Sequence, residues 1–123
     1  MKIPVHYSLK VARNVVSKID LPKEIARGCW VESWSNGREQ GLYISRLTIP
    51  SNSGKKIVSQ GIVIAQQRSS DDILVVCGDA QYFDVQTHQP SDKLWEKEGA
   101  RFHFHYKDVE KAAKHIEKFL KNP

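Results

Sequence analysis

The sequence predicts an α+β fold: an N-terminal helix, an antiparallel β-meander of four to five strands, and a C-terminal amphipathic helix packed on the sheet. Three observations carry that expectation. Apolar residues recur at helical spacing near both ends, β-branched and aromatic runs separated by turn formers fill the middle, and 123 residues suit one hydrophobic core. A single domain spanning residues 1–123 is expected.

The first helix follows Ser8 as its expected cap, with Leu9, Ala12, Val16 and Ile19 on one side and Lys10, Arg13, Asn14, Ser17 and Lys18 on the other. Leu21-Pro22 ends it, because proline has no N–H to continue the ladder and restricts the residue before it. Trp30, Val31 and Trp34, then Leu42, Tyr43, Ile44, Leu47 and Ile49, lie between the turn formers Ser35-Asn36-Gly37 and Pro50-Ser51-Asn52-Ser53-Gly54, the pattern of strands joined by hairpins. Ile57 to Gln67 and Ile73 to Cys77 continue the meander, joined by Arg68-Ser69-Ser70-Asp71-Asp72.

Ile62-Val63-Ile64-Ala65 and Ile73-Leu74-Val75-Val76-Cys77 are unbroken apolar runs, whereas a sheet with one wet face alternates. Both faces of these strands are therefore expected to be covered. Either each terminal helix takes one face, or both lie on one face and a second subunit takes the other.

Gly78 to Thr87 extends or follows the fourth strand, and Ser91 to Glu98 reads as a short helix closed by Gly99. Arg101 to Tyr106 alternates, which turns Phe102, Phe104 and Tyr106 inward and His103 and His105 outward on an edge or final strand. In the last helix Val109, Ala112, Ala113, Ile116 and Leu120 form one apolar stripe, with Lys111, Lys114, Lys118 and Lys121 off it.

Composition narrows the function classes. No run of about 18 apolar residues exists to span a membrane, and Met1 to Tyr7 lacks the apolar centre of a signal peptide, so a cytoplasmic protein without membrane association is expected. Cys29 and Cys77 have neither metal-ligand nor redox spacing and read as free thiols. The net charge of +5 is uneven: residues 1–70 carry eleven Lys and Arg against four Asp and Glu, and residues 71–123 carry eight against ten. Such a basic half suits an anionic partner.

Strands bearing Trp30, Trp34 and Tyr43 also carry Arg38 and Arg46, with Lys55, Lys56 and Arg68 in the adjoining turns. Rings that stack bases and cations that follow phosphates make a single-stranded nucleic-acid platform. The expected site is thus Trp34, Arg38, Tyr43, Arg46, Lys55, Lys56 and Arg68, with single-stranded DNA or RNA as partner and no cofactor. Against it, the same rings fill cores in other domains, and Glu32, between the two tryptophans on one face, repels phosphate unless Arg38 or Arg46 pairs with it. In architecture alone, the helix and meander resemble single-stranded-DNA-binding transcription cofactors.

Two other classes remain in view. Doubly apolar strands suit a protein-protein interaction module or regulatory subunit acting as a homo-oligomer, for example a homodimer. Asp71, Asp72, Asp79, Asp84 and Glu96 suggest a Mg²⁺-dependent nuclease of restriction-endonuclease-like type, although Gln86 stands where such sites usually place lysine. His103 and His105 project from one strand face and can supply two zinc ligands, but a third and fourth are needed, which His88, Asp84 and Cys77 can supply only if the middle segment folds back over that strand. Neither a Gly-rich phosphate loop nor a nucleophile elbow is present, and absent catalytic motifs favour binding over catalysis.

Overall fold

β-Branched and aromatic runs between turn formers fold as five consecutive antiparallel strands in a computed structural model that describes residues 5–48, 58–66 and 72–122. They are β1 (Cys29–Ser35), β2 (Gln40–Thr48), β3 (Val58–Gln66), β4 (Asp72–Asp79) and β5 (Arg101–His105), lying side by side in chain order. Among the described residues four α-helices accompany them: α1 (Val5–Ser17), the single turn α2 (Lys23–Ala26), the short α3 (Asp92–Glu96) and α4 (Val109–Lys121). The architecture is α+β, with α4 packed on the sheet. No helix among the described residues is long and apolar enough to cross a membrane.

Helix α1 begins at Val5, so Ser8 lies within it rather than capping it. Its inner side carries buried Ala12 and Val15. The β1–β2 hairpin closes on Gly37-Arg38: the Asn36 side-chain oxygen accepts from the N–H groups of Arg38 (2.9 Å) and Glu39 (2.6 Å), and Gly37 takes φ +88°, which a side chain would disfavour.

Both terminal helices cover the same sheet face. Leu42, Ile44, Ile62, Ile64, Ile73, Val75 and Cys77 point to it and pack with Ala12, Val15, Ala112, Ala113, Ile116 and Leu120. The opposite face presents Trp34, Tyr43, Val63, Ala65, Leu74 and Val76, and the chain itself covers them with Phe83, Leu94 and Ala100 from the β4–β5 connection. That connection is a 3-10 turn (Ala80–Tyr82), a bridge between Phe83 and Pro90, and α3, whose Ser91 cap accepts from Leu94 N–H at 3.3 Å. Gly99, with φ +83°, follows α3. The doubly apolar strands are therefore accounted for within one chain.

Two opposed glycines let this cover approach. Gly61 of β3 faces Gly78 of β4 across the ladder; a Cβ on Gly61 would sit 2.4 Å from Tyr43 Oη, and one on Gly78 2.4 Å from Leu94 Cδ1. Only bare backbone leaves room for those side chains.

Candidate binding groove around His88

On the face opposite the terminal helices, a groove of about 270 Å³ runs between Trp30 and Glu32 of β1, Tyr43, Ser45 and Leu47 of β2, and the Ala80 to His88 stretch. Its shape depends on the loop from Asp84 to Gln89. The Asp84 carboxylate accepts from the N–H groups of Gln86 (2.8 Å) and Thr87 (2.9 Å), and the Asp84 N–H donates to Gln89 O at 2.9 Å. Those backbone bonds hold the Asp84 carboxyl below the ordinary carboxylate range, so it is anionic at neutral pH.

The turn forces His88 to φ +58°, the left-handed region that a β-carbon disfavours and that clusters at functional positions. Three contacts hold it there. Its ring stacks on Tyr43 at 3.9 Å and 9°, its Nδ1 lies 3.4 Å from Glu32 Oε2, and its carbonyl accepts from Trp34 Nε1 at 3.2 Å. Burial and the Glu32 charge push the Tyr43 hydroxyl above its usual value, which keeps it protonated. The cluster joins β1, β2 and the covering loop through one imidazole.

Three apolar side chains border the groove mouth beside Glu32 and Asp84: Trp30, Leu47 and Val85 remain 47%, 39% and 90% exposed. Val31, on the other face of β1, is 44% exposed. β1 is also a sheet edge. Because Leu47 N–H donates to Gly28 O, antiparallel alternation turns the backbone groups of Trp30, Glu32 and Trp34 toward β2 and those of Cys29, Val31 and Ser33 outward. Gln89 Nε2 caps one outward carbonyl, that of Ser35, at 2.7 Å.

The residues expected to form a nucleic-acid platform are dispersed. Trp34 and Tyr43 are 7% and 3% exposed, packed with Val63, Leu74 and Phe83. Arg46 is buried on the helix side, where its Nη1 donates to Leu120 O and to Gln60 Oε1 (2.9 Å), and Gln60 Nε2 donates to Phe119 O at 3.1 Å. Arg38 is exposed at the β1–β2 tip. Lys55, Lys56 and Arg68 lie outside the described residues. Glu32 pairs with His88, not with Arg38 or Arg46.

The carboxylates read as a nuclease centre do not converge. Asp72 and Asp79 end β4 on opposite sides, about 23 Å apart at the usual strand rise. Asp71 lies outside the described residues, and among those described no three His, Cys, Asp or Glu side chains are grouped to hold a metal ion. His103 and His105 share the face opposite the helices, whereas Phe102 and Phe104 contact His115 of α4 at 4.1 and 5.6 Å. Phe102 and Tyr106 stay 39% and 37% exposed, because β5 is an edge that α4 only partly covers.

A larger cavity, about 590 Å³, opens where β4, α3 and α4 meet. Its nucleophile is inert: burial raises the Cys77 thiol to about 12, so no thiolate forms near neutrality. Sequence reasoning met His88 and Asp84 only as possible further zinc ligands and not as groove residues, and the Asp84 turn that positions His88 offers only a generic Asx signal. The chain matches no protein-family model, no curated protein and no solved structure.

Proposed function

We propose that this protein is a noncatalytic module that binds an extended segment of another polypeptide by strand addition to β1. The observation that supports this reading is the edge itself. Seven residues without proline or lysine present outward backbone groups at Val31 and Ser33, and exposed Trp30 and Val31 flank them on the two faces. Natural sheets blunt such edges unless something pairs with them, and strand addition obtains affinity from backbone bonds and selectivity from alternate side chains. A second copy of this chain is one candidate partner. Single-stranded nucleic acid, suggested by the net charge of +5, would stack on Trp30 here, since Trp34 and Tyr43 are buried.

Val31→Pro tests the reading, because it removes one outward N–H while leaving the β2 ladder whole, a substitution edge strands tolerate. Peptides displayed at random and panned on the native protein should include binders that lose affinity for Val31→Pro at unchanged melting temperature. Peptides that bind both proteins equally would overturn strand addition. Salt-sensitive binding of an oligonucleotide at micromolar protein, without Val31-dependent peptides, would favour the nucleic-acid function. Sedimentation over a range of concentrations distinguishes self-pairing from capture of another chain.

A further inference from the structure

Among the described residues, the charge around the groove has the opposite sign to the charge of the protein. A chain of net charge +5 places Glu32 and Asp84 at this mouth. Arg46, whose backbone borders the groove, commits its guanidinium to Leu120 O and Gln60 on the other side of the sheet. The Glu32 side chain is 47% exposed despite its contact with His88, and Asp84 is exposed. Glu32 follows Trp30 at a spacing of two, so both project from the same face of β1 and a strand laid alongside meets them with residues also two apart.

From this complementarity, and resting on the strand-addition reading above, we infer that the captured segment carries an apolar residue and, two positions away, a Lys or Arg. The apolar side chain lies on Trp30 toward Leu47 and Val85, and the cation stands between the Glu32 and Asp84 carboxylates. Cross-strand pairs of opposite charge stabilise, and like charges directly opposite destabilise, so an acidic segment is rejected at this position. Asp84 is held ionised near neutrality by its own turn.

The peptides selected on the native protein and rejected by Val31→Pro provide the test. They should share an apolar-x-Lys/Arg pattern. Synthetic copies should lose roughly two- to five-fold in affinity for Glu32→Gln and for Asp84→Asn, the range expected of single cross-strand charge pairs. Asn at position 84 still accepts the loop N–H groups, so the groove is preserved. Val31-dependent peptides with neutral or acidic residues at that position, or affinities unmoved by both carboxylate variants, would overturn the charge inference and leave strand addition standing. An absence of Val31-dependent peptides would overturn both.

Discussion

Arg46 brings a guanidinium to a position only 8% exposed, where the end of a helix supplies its acceptors. The last carbonyls of a helix have no partners within it and form the negative end of its dipole. Arg46 from β2 and Gln60 from β3 satisfy those of Leu120 and Phe119, tying the end of α4 to the sheet. Arg46→Ala should therefore cost about 1.5 to 3 kcal/mol, the range for hydrogen bonds to a charged group, seen as a lower urea midpoint. The sequence reading set Arg46 with Trp34 and Tyr43 on a basic platform, because nothing in the sequence showed that helix carbonyls would meet it on the other face. His115 makes a second residue-scale prediction. Burial against Phe102, and then the Lys118 charge, depress its pKa below the ordinary 6.5, so the folded state binds this proton less readily than the unfolded state does. The linkage sign follows: its contribution to stability is complete above about 6.5 and is lost as pH falls through the folded value. His115→Asn should flatten that part of a stability-against-pH curve, and an unchanged slope would show that another group controls it.

At the scale of elements, the strands and the terminal helices were readable because local pattern and tertiary role agree in them. β-Branched runs between turn formers became β1 to β4, Arg101 to His105 became β5, and the Val109 to Leu120 stripe became the inner side of α4. The stretch from Ala80 to Gln89 was not readable in the same way. It has no period, and its conformation is held by contacts distant in sequence: Trp34 with His88, Ser35 with Gln89, and Tyr43 with Phe83. The candidate groove inherits that difficulty, since Trp30 and Glu32 were visible on one strand face while His88 and Asp84 arrive only through the loop. Gly61 tests how closely this loop must fit. Gly61→Ala places a methyl against Tyr43 and Phe83, the latter 2.8 Å away, and should cost about 1 to 3 kcal/mol by overpacking. Near-UV circular dichroism should change with it, because the displaced rings include the Tyr43–His88 stack. A fully native spectrum and midpoint would mean that the loop yields freely.

For the whole molecule, the central question is how a sheet with two apolar faces is closed. One face has two helices, and the other has a short helix and a loop centred on Leu94 and Phe83. These covers differ in kind: Ile116 belongs to a thirteen-residue helix, whereas Leu94 belongs to a five-residue helix that fits over Gly78. Ile116→Asp sets an unpaired charge in the larger core and should abolish cooperative unfolding, while Lys114→Asp on the exposed side of the same helix should be nearly silent. Leu94→Ala should behave differently from both. Removing a buried leucine costs about 2 to 5 kcal/mol, and here the loss falls on the thinner cover, so the variant should keep its helical far-ultraviolet signal while loosening over Leu74 and Val76. The apolar surface so exposed is the kind that drives association. Sedimentation of Leu94→Ala should therefore give a mass that rises with concentration more steeply than that of the native 14.1 kDa chain, together with increased binding of a hydrophobic dye. Equal masses and equal dye binding, at a lowered midpoint, would show that the sheet face closes over the cavity and that Leu94 supplies packing alone.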